Sequence, residues 1–153
     1  MRSVVIVDTS VFCNVLNIPQ MNQSRKSVIA QFEVFIKDGA SLLLPMAAVY
    51  ETGNHIAQLK QGNGNIRRQV GEIFVAQVRA AIAGEAPWQV MQLPSTEDIR
   101  EWLVDFPDSA MRGESMGDLS IIKEWESVKI KTPNYRVLIW SLDGDLQGYD
   151  YQP

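Results

Sequence analysis

Apolar residues follow two alternating patterns along the chain. Short continuous apolar runs predict buried strands over residues 4–7, 41–44, 88–93 and 136–140. Between these runs, apolar residues recur at helical spacing and predict helices that start near Val11, Ser24, Pro45, Ile66, Ser95 and Gly117. The glycine-rich stretch 62–65 breaks the chain, and the stretch 106–116, which contains Pro107 and Gly113, is predicted to be a loop.

The alternation of strands with helices is typical of α/β folds. It predicts a central, mostly parallel sheet of four or five strands that is flanked by helices. Successive β-branched residues in the run 4–7 indicate a central strand that is covered on both faces. The sequence contains no internal repeat and no linker long enough to divide it, so we predict a single domain over residues 1–153.

The charge balance argues against a protein that coats polyanions nonspecifically. There are 14 Lys and Arg against 18 Asp and Glu, which gives a net charge of -4, and there is no basic tail. Cys13 is the only cysteine, so no internal disulfide can form, which fits a reducing compartment. The sequence has neither a signal-peptide core nor an apolar run of membrane-spanning length, and we expect a soluble, cytoplasmic protein.

Four acidic residues occupy comparable places in the pattern. Asp8 ends the first apolar run, Glu51 lies two turns into the helix after the second strand, Asp118 lies in the first turn of the last helix, and Asp143 follows the last strand. Ligands of parallel sheets gather beyond the carboxyl ends of the strands, which is where these acids are expected. Each also has a structural alternative: Asp8 and Asp118 as helix caps, Glu51 as a solvated helix residue, and Asp143 as a turn residue.

The joint placement of these acids resembles the PIN-domain nucleases. The resemblance spans nearly the whole chain, from Val4 to about Leu146. Four sequence blocks carry it: Val5-Ile6-Val7-Asp8-Thr9-Ser10-Val11, Leu44-Pro45 through Val49-Tyr50-Glu51, Gly117-Asp118-Leu119-Ser120-Ile121-Ile122, and Val137-Leu138-Ile139-Trp140-Ser141-Leu142-Asp143. The first block is fairly specific, and the other three support it through their order and spacing.

The resemblance implies a PIN-like three-layer sandwich and metal-dependent cleavage of phosphodiester bonds, usually in RNA. The acids implied are Asp8, Glu51, Asp118 and Asp143, with Ser10 near the metal. In size the chain resembles the single-domain toxin ribonucleases of toxin and antitoxin pairs, which implies a protein antitoxin and a homodimer. Ser141 stands where Thr is usual in this family, and its hydroxyl can bind Asp143 or a metal-bound water. Asp145 lies two residues further on, so the identity of the fourth ligand stays open.

The donor types agree with this function independently. Four carboxylates without a nearby cysteine form an all-oxygen site, which favours Mg²⁺ or Mn²⁺ over zinc. Arg67 and Arg68 on the fourth helix and Arg112 before Asp118 are candidate phosphate contacts. The alternative for these cations is a solvated helix face.

Two other functions fit part of the pattern. A receiver-like Mg²⁺-binding domain also places acids at strand ends, but it would need an acidic pair after the first strand and an Asp after the third, where this chain has Asp8-Thr9 and Gln92-Leu93. A catalytically silent PIN-like domain would serve only as an interaction module. The presence of all four acids argues against this second alternative.

Overall fold

A computed structural model describes residues 2–60 and 63–153 of the chain. Its sheet has five strands in the spatial order β3-β2-β1-β4-β5. The first four are parallel and β5 runs antiparallel to β4. The strands are β1 Ser3–Val7, β2 Ser41–Leu44, β3 Trp88–Val90, β4 Arg136–Trp140 and β5 Asp150–Tyr151. The predicted mostly parallel sheet is confirmed, with β1 at its centre.

In the described part of the chain, six helices connect the strands. They are α1 Thr9–Val15, α2 Arg25–Lys37, α3 Met46–Ala57, α4 Gly64–Ile82, α5 Thr96–Met111 and α6 Met116–Lys131. Gly62, part of the predicted chain break, lies outside the described residues. Asn63 at the same break caps α4, because its side chain accepts a hydrogen bond from the Asn65 N–H at 3.0 Å. No helix in the described part of the chain is both long and apolar enough to cross a membrane.

The central strand separates two apolar layers. Side chains of a strand point alternately to its two faces, so Val5 and Val7 pack in one layer and Ile6 in the other. The first layer holds core residues of α1 to α4, including Phe12 and Ala48, and the second holds Ile121 and Ile122 of α6. All four residues 4–7 are buried, as their β-branched run predicts.

The predicted loop at 106–116 is wrong for most of its length. Helix α5 continues through Pro107 to Met111, and only residues 112–115 connect it to α6. Proline inside a helix removes the bond to the carbonyl four residues earlier. That carbonyl belongs to Leu103, whose side chain is 53% exposed, so water can reach this side of the helix. A capping box of Ser95 and Asp98 begins the helix, as expected.

Two further strand predictions need correction. The predicted strand 88–93 ends at Val90, and after it only the Met91 N–H still donates to β2, to the Leu44 carbonyl at 2.9 Å. Strand β5 was not predicted, because two residues are too short to show a period. It is held by a bidentate ion pair, in which the Arg136 guanidinium donates to the Asp150 carboxylate at 2.9 and 2.7 Å.

Candidate functional site

The carboxyl ends of β1 and β4 place Asp8 and Ser141 side by side. Val7 pairs with Trp140 in the parallel register, and the Asp8 N–H continues the ladder by donating to the Trp140 carbonyl at 3.0 Å. Asp8 is only 5% exposed. A buried carboxylate requires hydrogen bonds or charges that replace its lost hydration, so its partners define the local chemistry.

Two hydroxyl groups fix the Asp8 carboxylate. Ser141 Oγ donates to Asp8 Oδ2 at 2.7 Å, and Ser10 Oγ donates to the same oxygen at 3.0 Å. Asp8 stands at the N-cap position of α1, but its side chain makes no capping hydrogen bond. The capping alternative therefore does not describe this side chain, whose carboxylate is oriented toward Ser10 and Ser141.

Glu51 is held by a residue that the sequence analysis did not single out. Thr9 Oγ1 donates to Glu51 Oε2 at 2.8 Å, and Thr9 itself is 4% exposed. This bond joins the start of α1 to α3, and Glu51 is half-buried, not fully solvated. The position of Thr9 directly after Asp8 was a usable signal, because a hydroxyl at the start of a helix beyond a buried strand can only bind near that sheet edge.

The first turn of α6 packs against the same glutamate. An alanine Cβ built at Gly117 would lie 2.6 Å from Glu51 Oε1, which is closer than real Cβ contacts allow. Ser115 is the N-cap of this helix, and its Oγ accepts the Asp118 N–H at 3.1 Å. Asp118 is therefore not the cap, and glycine at 117 lets the turn approach Glu51.

The environment of Asp118 favours its protonated form. Burial, followed by the negative charges of Asp8, Glu51 and Asp143, raises the pKa of Asp118 to about 6. Asp98 holds the equivalent third position of α5, after the N-cap Ser95, yet its pKa is lowered by hydrogen bonds from Ser95. The same helix position thus serves a capping box in α5 and a cluster of acids in α6.

Asp143 has a structural role and an electrostatic one. Its N–H donates to Ser141 Oγ at 2.9 Å, and its Oδ1 accepts the Asp145 N–H at 3.0 Å, so it does form the turn that the Asp-Gly-Asp sequence suggested. Its charge also raises the pKa of Asp118, whereas Asp145 is not among the causes of that shift. Ser10 Oγ accepts the Leu142 N–H at 2.9 Å and ties this loop to α1.

The donor chemistry of the cluster suits a hard divalent cation, but the side chains do not form a closed ligand set. Asp8, Glu51, Asp118 and Asp143 supply only oxygen atoms, and burial together with the charges of the other three raises the pKa of Asp118. Within residues 2–60 and 63–153, no three Asp, Glu, His or Cys side chains are arranged to hold one ion together. Hydroxyl groups instead occupy Asp8 Oδ2 and Glu51 Oε2.

The candidate phosphate contacts lie apart from the acids. Arg68 forms an exposed ion pair with Glu72 at 3.4 Å, and Arg67 donates to the Leu59 carbonyl at 3.3 Å. Both line a surface depression of about 830 Å³ between α3 and α4. Arg112 lies 3.7 Å from Glu114. In the part of the chain that the structure describes, no hydrogen bond or ion pair joins these arginines to the four acids.

Comparisons with known proteins add evidence on the fold. No family model and no curated protein matches the chain. A solved structure does match it: the crystal structure of VapBC2 from Rickettsia felis bound to a DNA fragment from their promoter. The TM-score is 0.52 at 13% sequence identity, and the match covers 90% of this chain and 99% of the other. At this identity the similarity shows a shared fold, and the predicted PIN-like α/β sandwich is confirmed at that level.

Proposed function

We propose that the chain is a metal-dependent endoribonuclease that hydrolyses RNA phosphodiester bonds. The observation that carries the proposal is the convergence of acids from three separate elements at one sheet edge. Asp8 follows β1, Glu51 comes from α3, and Asp118 comes from α6. The hydroxyls of Thr9 and Ser141 and the close approach of Gly117 to Glu51 connect these elements directly.

The proposed cofactor is Mg²⁺ or Mn²⁺, held by Asp8, Glu51, Asp118 and Asp143. A bound ion of this kind orients the scissile phosphate, lowers the pKa of an attacking water and offsets charge on the leaving oxygen. Mg²⁺ keeps several of its own waters and often uses only one or two carboxylates directly. Among the described residues no three acid side chains are arranged to hold one ion directly, and this arrangement is compatible with coordination through water.

The residues around the acids have positioning roles in this proposal. Ser10 and Ser141 both donate to Asp8 Oδ2, which leaves Asp8 Oδ1 as the oxygen available to a metal ion. Thr9 holds Glu51 Oε2 and turns Oε1 toward the first turn of α6. Ser141 also accepts the Asp143 N–H, so a single hydroxyl sets the relation between Asp8 and the loop that carries the fourth acid.

The biological role that we propose is that of a toxin in a toxin and antitoxin pair, acting on cytoplasmic RNA. It draws on the PIN resemblance and the fold shared with VapBC2; the bound promoter DNA is a property of VapBC2. The proposed partner is a protein antitoxin. A small reading frame directly upstream, whose product co-purifies with this chain and suppresses RNA cleavage, would support the pair, and full activity in its presence would contradict it.

Self-association is also part of the proposal. Val104 and Met111, seven residues apart on α5, are 77% and 80% exposed, and pairing would cover these two apolar side chains. Sedimentation at tens of micromolar should give a dimer, and Val104→Glu with Met111→Glu should give a monomer. A wild-type monomer at that concentration would contradict the pairing.

The decisive experiment compares Asp8→Asn with Asp38→Asn. Both changes replace a carboxylate by an amide, but Asp38 is an exposed residue at the end of α2. With Mg²⁺ or Mn²⁺, Asp8→Asn should lose nearly all RNA cleavage, and Asp38→Asn should cut like wild type. Chelation of the divalent ion should abolish RNA cleavage by the wild type and by Asp38→Asn. Equal cleavage by Asp8→Asn and wild type would refute the mechanism.

One observation favours a second candidate, a silent PIN-like interaction module. The described residues contain no closed set of three ligands, which is the arrangement expected if the acids no longer serve a metal. Mn²⁺ binding by the wild-type protein separates the two functions. A module would bind Mn²⁺ no better than Asp8→Asn does, whereas the proposed nuclease would bind it more tightly.

A further inference from the structure

A groove lies between α5, α6 and the segment that follows β3, away from the acids described above. Its volume is about 630 Å³, within the range of specific ligand sites. Residues 91–95 follow β3 and form one wall. The apolar lining includes Met91, Leu93, Trp102, Val128 and Ile130, of which Leu93 and Ile130 are 64% and 76% exposed.

The polar lining of this groove is predominantly acidic. Five carboxylates and two ammonium groups contribute to it: Asp98, Glu101 and Asp105 from α5, and Lys123, Glu124, Glu126 and Lys131 from α6. Lys123 is already occupied, because its Nζ lies 2.6 Å from Asp105 and 3.6 Å from Glu126. The groove therefore combines apolar walls with an excess of negative charge.

Glu124 is the carboxyl group that this arrangement leaves unsatisfied. Its Oε2 is buried and has no hydrogen-bond partner among the described residues. Burial, helped by the nearby charge of Asp98, raises the pKa of Glu124 to about 7. A buried acceptor without a partner costs stability, so a cation entering the groove would relieve a defect of the free protein.

We propose that this groove binds a segment of a partner protein that places an arginine side chain between apolar residues. The acidic lining complements the guanidinium, and the apolar walls complement its neighbours. Arginine fits better than lysine because its planar guanidinium can bind a carboxylate with two N–H groups and stack on an aromatic ring. Glu124 and Trp102 supply these two partners. The interaction does not depend on nuclease activity.

The test uses two tripeptides that differ only in charge. Acetyl-Leu-Arg-Leu-amide is the probe, and acetyl-Leu-citrulline-Leu-amide keeps its shape without the charge. Titrations followed by NMR should shift amides of residues 91–95, 98–105 and 123–131, and the citrulline peptide should bind about fivefold more weakly. Equal binding of the two peptides, absence of binding, or shifts confined to the Asp8 region would overturn the proposal.

Two variants that each lose one glutamate charge test whether Glu124 is the residue that binds the arginine. Glu124→Gln keeps the size of the side chain and should bring the two peptides within about twofold of each other. Glu33→Gln, at an exposed position of α2, should preserve the preference for arginine. A fully retained preference in Glu124→Gln would overturn the role of Glu124. The wild-type preference should also increase from pH 6 to pH 8 as Glu124 ionises, and a preference that is flat across this range would contradict the same role.

Two other occupants are outcomes of the same experiment. If the groove were covered by a second copy of this chain, dilution of the Val104→Glu, Met111→Glu variant would shift the amides of 91–95 and 123–131 without any peptide. If the acids bound a divalent cation, MgCl₂ alone would shift them at millimolar concentration. Either result would overturn the proposal of a partner segment.

Discussion

Gly117 and Glu51 lie so close together that a side chain at position 117 would collide with the carboxylate. The built Cβ falls 2.6 Å from Glu51 Oε1, while Thr9 holds the other carboxylate oxygen at 2.8 Å. Glu51 is thus confined from two sides, by α1 and by α6. Glycine at position 117 therefore allows Glu51 Oε1 to lie against the first turn of α6.

We expect Gly117→Ala to impair cleavage more than stability. The added methyl group must displace Glu51 or break its bond to Thr9, and a shift of this size at a reacting centre can lower the rate about a hundredfold. The free energy of unfolding should change by no more than about 1 kcal/mol, because alanine favours the helix. RNA cleavage and urea unfolding measure the two effects.

Gly71→Ala is the matched control for that variant. Gly71 lies inside α4, and nothing lies within 4 Å of the Cβ that alanine would add. This variant should be more stable than wild type and should cleave RNA at the same rate. If Gly117→Ala also kept the wild-type rate, the contact with Glu51 would have no part in the activity.

Asp98 and Asp118 occupy the same helix position, but replacing each by asparagine should change folded stability in opposite directions. The raised pKa of Asp118 means that its ionisation costs folded stability, so its favourable contribution is present below about pH 4 and is lost as pH rises through about 6. Without divalent ions, Asp118→Asn should therefore be more stable than wild type at pH 8, by about 1 kcal/mol after solvent screening. The gain should vanish toward pH 4.

Asp98→Asn should show the opposite sign. The pKa of Asp98 is lowered, so its contribution is present above the ordinary value of 3.8 and is lost only as pH falls through the lowered pKa. This variant should be less stable than wild type at pH 7 because the amide weakens the capping box. Thermal unfolding at pH 4, 6 and 8 compares both variants. A destabilised Asp118→Asn at pH 8 would show that its environment does not repel the carboxylate.

The sequence predicted the sheet and most helices well because their apolar periods are long and regular. It failed where a few specific contacts decide the structure. Pro107 lies inside α5 on an exposed side of the helix, and the two-residue strand β5 pairs with β4 beside the ion pair of Arg136 with Asp150. Neither effect leaves a periodic signal.

In the candidate site, too, some features could be predicted from the sequence and others could not. Asp8 could be proposed from the strand pattern, and Glu51 and Asp118 from their places in the helices α3 and α6. The hydroxyl contacts could not, because the bonds of Thr9 and Ser141 link residues 42 and 133 positions apart. Such pairs become visible only when the strand register is known.

The basic residues of α4 provide a test of RNA binding. Arg67→Ala with Arg68→Ala should weaken RNA binding at low salt and reduce the salt slope by about 1, because fewer counterions are released. Metal affinity should stay nearly unchanged, since neither arginine contacts an acid of the cluster. Lys37→Ala with Arg100→Ala removes the same charge from exposed positions of α2 and α5 and serves as control. Equal salt slopes for the two double variants would assign Arg67 and Arg68 to an ordinary solvated surface.

The fourth acid can be assigned by separate changes at Asp143 and Asp145. The Asp143 N–H donates to Ser141 Oγ, and the same hydroxyl donates to the Asp8 carboxylate. The charge of Asp143 raises the pKa of Asp118, whereas Asp145 is not among the causes of that shift. Asp143→Asn keeps the oxygen that accepts the Asp145 N–H, so the turn should survive while the charge is lost. We expect Asp143→Asn to reduce Mn²⁺ affinity and the cleavage rate by at least about tenfold, and Asp145→Asn to change both much less. Mn²⁺ titration and RNA cleavage of the two purified variants make the comparison, and a larger loss at Asp145 would move the ligand two residues along the loop.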